Sequence, residues 1–194
     1  MHLGTKGEKD IQNRQESADR ANRFYKYQMQ NQLNEKMKEL IKKQEMAFIA
    51  TSDAEGNCDC SPRFGKPGFI SILDNQTLAY PEYRGNGVFA SLGNILENPH
   101  IGIVFVDFFN TTVGLHVNGK ANSYLLSELP KKFESAINEL SKSDTILIER
   151  WVVIEIDEAY IHCSKHVPKL EKKDKKIRWG TDDKKAKSVD FFNK

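Results

Sequence analysis

Residues 81–100 of this chain read PEYRGNGVFASLGNILENPH. The stretch places Arg84 and a Gly-Asn-Gly turn directly before an amphipathic segment, and the pattern predicts a helix over residues 88–97. Two interpretations fit this arrangement. The stretch is either a loop that binds phosphate or an ordinary turn followed by an ordinary helix cap.

The phosphate interpretation depends on what each residue type can donate. Gly85, Asn86 and Gly87 can adopt positive φ and expose backbone N–H groups. The helix that follows begins with unpaired N–H groups and the positive end of its dipole. Arg84 adds a planar set of donors that matches phosphate oxygens, and the Ser91 hydroxyl lies in the first helical turn.

A second candidate element is the tripeptide Ser61-Pro62-Arg63. On an extended strand Ser61 and Arg63 point to the same side, while Pro62 confines the segment to a sheet edge or a bulge. Arg63 needs a partner if it is buried, because burying an unpaired charge is very costly. Solvent and a ligand phosphate both satisfy that need.

The remaining pattern predicts a mainly β protein. The connections between the first strands are hairpin-length, which favours antiparallel pairing, and closing such a sheet removes its exposed edges. We therefore expect a small closed or partly closed barrel with helices at its ends. Pro81 cannot donate to a sheet ladder, so we expect pairing to stop there. The predicted strands cover residues 46–53, 58–64, 69–73, 77–81, 100–109, 111–124 and 144–163, and a further helix covers 126–142.

The N-terminal segment is predicted to be one long helix. Residues 8–44 are rich in Glu, Gln, Lys and Arg, and an apolar side chain recurs at every fourth position from Tyr25 to Ile41. So narrow a stripe must lie against its own barrel or against a second subunit. We expect three parts: a helical extension at 1–44, a barrel domain at 45–168 and a basic tail at 169–194.

The composition is that of a globular protein, with 39% hydrophobic and 29% charged residues among 194. No apolar run approaches the roughly 18 residues of a membrane span, and the N-terminus has no apolar signal-peptide core. We therefore expect a cytoplasmic protein without a membrane partner. Cys58, Cys60 and Cys163 favour reduced thiols over a disulfide framework.

The basic tail is the most asymmetric part of the charge pattern. Residues 169–194 carry ten Lys or Arg and five Asp or Glu, a local charge of +5 in a chain of net charge +2. A basic tail can bind nucleic acid. Acidic residues interrupt the lysines, however, so we favour a solvated tail and expect no nucleic-acid partner.

The segment SPRFGKPGFISILDNQTLAYPEYRGNGVFASLGNILENPHIGIVFVDF, residues 61–108, resembles the flavin-binding split-barrel superfamily that includes pyridoxamine 5′-phosphate oxidase. It is most similar to the flavin-nucleotide-binding branch. The similarity continues through LHVNGKA at 115–121 and covers roughly residues 45–163. It depends on the order SPR, RGN, SLxNILxNP and VNGKA.

The resemblance implies a six-stranded antiparallel split barrel, an FMN cofactor, and a homodimer with two flavin sites at the subunit interface. Among the matching positions, Arg63 and Arg84 correspond to basic residues that hold the FMN phosphate. Ser61 and Pro62 correspond to the strand that runs beside the flavin ring. Gly85, Asn86 and Ser91 correspond to the loop and the helix start around the phosphate.

The resemblance also implies a flavin-dependent oxidoreductase that acts on a small molecule. The alternative is a protein that binds or senses flavin or haem on the same barrel without turnover. In true pyridoxamine-phosphate oxidases a C-terminal Trp, Arg and His set holds the vitamin substrate. Residues 175–194, KKIRWGTDDKKAKSVDFFNK, do not reproduce that set, which argues against the vitamin B6 reaction.

No motif assigns a catalytic residue. The chain has no GxSxG, HExxH or Walker A pattern, so we expect a cofactor to carry the chemistry. His116 stands where related sequences carry arginine, on a strand face with Gly114 and Asn118. It either reaches the ligand or is an ordinary hydrogen-bonded histidine.

One further group has the residue types of a zinc site. It consists of the cysteines at 58 and 60 and the segment His162-Cys163 with His166. Structural zinc sites usually place two compact ligand pairs around turns, and this spacing does not. Free thiols and surface histidines are therefore the favoured interpretation, and no metal is expected.

Overall fold

The computed structural model describes residues 4–142, 148–179, 181 and 183. Its centre is one antiparallel sheet, and the strands in chain order are β1 (Met46–Ser52), β2 (Cys58–Phe64), β3 (Ser71–Asp74), β4 (Thr77–Tyr83), β5 (His100–Val106), β6 (Gly114–Tyr124) and β7 (Ile148–His162). In space the strands follow the order β2-β1-β5-β6-β7-β4-β3. Within the described residues the sheet is flanked by helices α1 (Lys6–Arg14), α2 (Ala18–Tyr27), α3 (Glu35–Lys43), α4 (Ala90–Glu97) and α5 (Lys131–Lys142).

The sheet encloses one main apolar core because side chains alternate along its strands. In β5, Ile101, Ile103 and Phe105 are buried and the residues between them are more exposed. They pack in one cluster with Leu115 and Val117 of the neighbouring β6. The expected mainly β, antiparallel architecture is confirmed, with seven strands in place of the six that the resemblance implies.

β2, the strand at one end of the sheet, meets β4, which lies beside β3 at the other end. Arg63 of β2 and Glu82 of β4 form an ion pair with an NH2–Oε2 distance of 3.2 Å. Among the described residues, β2 pairs through its backbone with β1 and β4 pairs with β7 and β3. Side chains rather than ladder hydrogen bonds therefore join β2 to β4, and we call this junction the seam.

The expectation that pairing stops at Pro81 is wrong. β4 continues to Tyr83, and Pro81 lies opposite Trp151 of β7. Among the described residues β3 accompanies β4 only as far as Ala79. Beyond that point β4 has no ladder on its β3 side, and a proline without an N–H group is tolerated there.

The prediction of a single long N-terminal helix is also wrong, because the segment forms three helices. Glu16 adopts a φ of 48° between α1 and α2, and Gln30 leaves the helical path to pair with Ala159 of β7. The apolar stripe itself is buried: Met37 and Ile41 of α3 join the main core. In this structure the stripe packs on its own barrel.

A second, smaller core lies under α5. Phe133 and Ile137 pack with Trp151 and Val153 of β7. The helix predicted from residue 126 begins at Lys131, after a short 3₁₀ turn and Pro130. A proline at this place is consistent with helix geometry, since its missing N–H would be unpaired at a helix start.

The tail follows the barrel surface over the part that is described. The Leu170 N–H donates to the Phe108 carbonyl at 2.8 Å, and Lys172 pairs with Glu45. Most residues from 167 to 179 are exposed. No helix in the described ranges is long and apolar enough to cross a membrane.

Because α3 supplies part of the main core, its apolar side chains should contribute as much stability as strand residues do. Ile41 is fully buried, whereas Ile11 of α1 is 57% exposed. We expect Ile41→Ala to lower the free energy of unfolding by about 2–5 kcal/mol. We expect Ile11→Ala to change it by less than about 0.5 kcal/mol. Urea denaturation of both variants measures the difference, and equal midpoints would contradict the packing of α3.

Candidate functional site

A cavity of about 360 Å³ lies at the seam, between β2, the end of β4 and the start of α4. It brings together most of the residues singled out in the sequence. Of the seven predicted cofactor-binding residues, five line it: Ser61, Arg63, Gly85, Asn86 and Ser91. Pro62 and Arg84 do not line it. We call this space the seam cavity.

The cavity wall on β2 follows from strand alternation. Asp59, Ser61 and Arg63 share one strand face and all line the cavity. Pro62 points the other way and is exposed, and its carbonyl accepts from the Arg63 NH1 at 3.2 Å. β2 is the last strand of the sheet at this end, which is where proline is tolerated within a strand.

The loop before α4 has a specific backbone geometry. The Asn86 Oδ1 accepts from the Val88 N–H at 2.9 Å, and Gly87 adopts a φ of 79°, which favours glycine. Phe89 is also left-handed, at 54°, and is the N-cap of α4. The prediction of a positive φ therefore holds at Gly87; Gly85 and Asn86 are not in that region.

The entrance of α4 supplies further donors. Phe89 makes no side-chain cap, and Gly93 is the first residue whose N–H donates back to the Phe89 carbonyl. The N–H groups at residues 90–92 therefore lie ahead of the helical ladder, at the positive end of the dipole. These three residues line the cavity. The Ser91 hydroxyl is engaged, since it donates to the Asp59 carboxylate at 3.1 Å.

The Arg63 guanidinium is also engaged, by Glu82. Nε and NH2 each lie 3.2 Å from the same oxygen, Oε2. The side chains are only 16% and 17% exposed, and the guanidinium lies 5.9 Å from the centre of the Tyr80 ring. Burial raises the pKa of the Glu82 carboxyl above its ordinary value, although Arg63 acts in the opposite direction. Burial likewise raises the pKa of the Tyr80 hydroxyl.

Sequence reasoning missed the two carboxylates of the cavity. Asp59 and Glu82 both line it beside the single guanidinium of Arg63. Asp59 could have been found, because it precedes Ser61 by two residues on the same strand face. Glu82 could not, since its meeting with Arg63 requires the two ends of the sheet to come together. The cavity therefore offers hydrogen-bond donors to an anion. It also contains the Glu82 carboxylate, which competes with that anion for Arg63.

Arg84 takes a different place from the one expected for a phosphate ligand. It is exposed and follows β4 directly, outside the lining of the seam cavity. Its assignment to a phosphate stays a prediction.

His116 lies away from the seam cavity. Its ring stacks on Tyr160 with a centroid distance of 4.7 Å, and its Nε2 lies 3.2 Å from the Nδ1 of His162. Burial, and then the neighbouring His162, lower the pKa of His116. The arrangement fits a hydrogen-bonded structural histidine. Cys58, Cys60 and Cys163 are exposed and free, and the described residues contain no cluster of three or more His, Cys, Asp or Glu that could hold a metal.

A larger, more open groove of about 1350 Å³ lies between the N-terminal helices and the outer face of the sheet. Its floor is made of small side chains such as Ala50 and Gly102, and its walls carry charges of both signs. None of the seven predicted residues lines it. The seam cavity is therefore the better candidate site.

The family model described as pyridoxamine 5′-phosphate oxidase matches residues 33–163. The chain belongs to this family. The resemblance seen in the sequence is thereby confirmed, and the match begins at Leu33, so it includes α3 with its core residues. No curated protein sequence matches the chain significantly.

Solved structures show the same fold. HupZ from Group A Streptococcus has a TM-score of 0.52 and 24% identity, over 66% of this chain and 91% of that one. A putative pyridoxamine 5′-phosphate oxidase from Lactobacillus delbrueckii has a TM-score of 0.50 and 22% identity, over 68% and 95%. More distant structures include an FMN-binding protein from Syntrophomonas wolfei and HutZ, the heme storage protein of Vibrio cholerae. Their TM-scores of 0.44 and 0.42 say nothing about what this chain binds.

Proposed function

We propose that the protein binds FMN, with the phosphate in the seam cavity, and acts as a flavin-dependent oxidoreductase on a small molecule. One observation carries the proposal. The guanidinium of Arg63 and the N–H groups at residues 90–92, ahead of the helical ladder, border the same small cavity. A guanidinium and a helix N-terminus are the two donors best matched to a phosphate dianion. Membership of the pyridoxamine 5′-phosphate oxidase family supports the same cofactor.

The cavity meets the size and donor requirements of the phosphate end of FMN. Its volume of about 360 Å³ is at the lower end of the range for ligand pockets, about 300–1,000 Å³. Arg63 would hold two phosphate oxygens, and the amides at the start of α4 would hold the others. Glu82 holds the Nε and NH2 of Arg63, so it must release them for a phosphate to make a two-point contact with those nitrogens.

FMN, when bound, supplies hydride or electron transfer that side chains cannot perform. The contribution of this chain is then to bind and orient. Gly87 lets the loop adopt a φ of 79°, a backbone conformation that residues with a side chain rarely take. The Asn86 side chain holds the loop through its bond to the Val88 N–H.

The phosphate contact can be tested with FMN and riboflavin, which differ in the phosphate group. Wild type should bind FMN more tightly than riboflavin. Replacing Arg63 by Gln removes a charge-assisted contact of about 1.5–3 kcal/mol and should weaken FMN binding roughly 10- to 100-fold, with little effect on riboflavin. Fluorescence titration of the flavin measures both constants.

The matched control is Arg150→Gln. Arg150 also pairs with a glutamate, Glu128, and lies outside the seam cavity. The Arg150→Gln variant should bind FMN with the affinity of wild type. Equal affinity of wild type for FMN and riboflavin would contradict a phosphate site in this cavity.

Oxidoreductase activity requires that the bound flavin accept electrons from a donor. We expect NADH or NADPH to bleach the visible absorbance of the FMN-loaded protein under anaerobic conditions, faster than that of free FMN, because a fixed ring is oriented for hydride transfer. Stopped-flow absorbance measures both rates. A bound flavin that neither donor reduces faster than free FMN would favour the alternative, a protein that binds flavin without turnover.

We further propose a homodimer that covers the mouth of the seam cavity. Val88 and Phe89 line this cavity yet are 70% and 46% exposed, and Phe64 beside Arg63 is 47% exposed. Apolar side chains grouped around a ligand site are typical of a surface that a partner covers. A second copy of the chain would also shield the ligand from water.

Val88→Glu should therefore shift the protein from dimer to monomer and weaken FMN binding, because it places a charge in the proposed interface. Sedimentation velocity gives the mass. Ile11→Glu changes an exposed isoleucine on α1 and should leave the mass unchanged. A monomeric wild type with FMN bound would contradict the dimer.

A further inference from the structure

We propose that Glu82 regulates the anion site. Its carboxylate is paired with Arg63 in the ligand-free chain. When a ligand phosphate binds to Arg63, Glu82 takes up one proton from solvent. The inference depends on the proposed FMN function and adds a pH-dependent control to it. No other reactant is needed, since the proton stays on the Glu82 carboxyl until the ligand leaves.

The contacts of Arg63 place Glu82 and an entering phosphate in competition. Arg63 points two of its nitrogens, Nε and NH2, at one oxygen of Glu82. These nitrogens form one of the two edges through which a guanidinium makes a two-point contact with phosphate, and NH1 of the other edge donates to the Pro62 carbonyl. Glu82 itself lines the cavity, so an entering phosphate meets the carboxylate as well as the guanidinium.

The cost of keeping Glu82 ionised rises when a dianion enters. Like charges a few ångströms apart in a partly buried site disfavour each other, and protonation of the weaker acid relieves the repulsion. Asp59 is a second carboxylate in the same cavity, but its Oδ2 accepts from the Ser91 hydroxyl rather than from Arg63. Glu82 shares Arg63 with the entering ligand and is therefore the group that takes the proton.

The surroundings of Glu82 already shift the pKa of its carboxyl upward. Burial raises the pKa of its carboxyl most, and the charge of Glu149 on β7 adds to that rise. Arg63 on β2 is the group that lowers it. The neighbouring Tyr80 stays neutral, because burial raises the pKa of its hydroxyl. Once Arg63 binds a phosphate, its lowering effect on the pKa of Glu82 weakens, and that pKa rises further.

The sign of the pH dependence follows from these contributions. At high pH Glu82 is ionised and competes with the ligand phosphate for Arg63. As the pH falls through its raised pKa the carboxyl is protonated, the competition ends and FMN binds more tightly. The phosphate acts in the opposite direction, because it loses its second charge below about pH 6. Comparing wild type with a variant at Glu82, both binding FMN, cancels the effect of the phosphate ionisation.

The test is an FMN titration of the full chain by calorimetry from about pH 8 to about pH 5, with wild type and Glu82→Gln. Glutamine keeps an oxygen that can accept from Arg63 but carries no charge. We expect Glu82→Gln to bind FMN about tenfold more tightly at the high end, since one pKa unit of interaction corresponds to tenfold in affinity. The ratio of the two dissociation constants should fall toward one as the pH is lowered.

Repeating the titration in two buffers of different ionisation enthalpy measures the protons taken up. Wild type should take up more protons on binding FMN than Glu82→Gln does, and binding of riboflavin should show no such difference. Glu128→Gln is the matched control, because Glu128 also pairs with an arginine, at 3.4 Å, but lies outside the cavity. It should behave as wild type.

The outcomes separate the two proposals. If wild type and Glu82→Gln both bind FMN with the same affinity at every pH, the role of Glu82 is overturned and the FMN site stands. If neither of them nor Glu128→Gln binds FMN, the proposed function fails as well. If Glu82→Gln does not fold, the wild-type proton uptake decides alone: a value no larger for FMN than for riboflavin overturns the inference.

Discussion

The closure of the sheet at β2 and β4 is the constraint on which the rest of the molecule depends. The strand order places β2 at one end of the sheet and β4 beside the other end, and the described backbone makes no ladder between them. The Arg63–Glu82 ion pair spans this gap, with the Tyr80 ring beneath the guanidinium. A buried pair of this kind adds modest net stability, but loss of one partner leaves an uncompensated charge.

The seam also explains where the candidate site lies. Ladder hydrogen bonds satisfy the backbone elsewhere in the sheet, so little space remains between neighbouring strands. At the seam the strands are held by side chains, and the first residues of α4 line the gap. The Ser91–Asp59 bond fastens α4 to β2. The cavity is therefore a consequence of how the barrel closes, and its polar groups are those that close it.

Local chemistry made much of this predictable. The alternation in β2 put Ser61 and Arg63 on one face, and the glycine-rich loop before α4 predicted where donors would gather. The sequence did not reveal contacts between distant segments. Glu82 meets Arg63 only because the sheet curves, and Asp59 is held by a serine 32 positions away. The N-terminal pattern was misleading for a related reason: the every-fourth spacing continues from Tyr25 in α2 to Ile41 in α3, although the bridge of Gln30 to Ala159 breaks the helix between them.

The two functions of the Arg63 guanidinium oppose each other. As a partner of Glu82 it holds β2 to β4, and as a phosphate ligand it would leave that carboxylate. A lysine would serve the first function through one point contact, but it lacks the two parallel donors that the second requires. The burial that keeps this ion pair from water also raises the pKa of the Glu82 carboxyl. The contact with Arg63 is strongest when Glu82 is ionised and weakens when Glu82 is protonated. Barrel closure and the proposed anion binding thus compete for one side chain, and in this proposal the protonation of Glu82 determines which of them prevails.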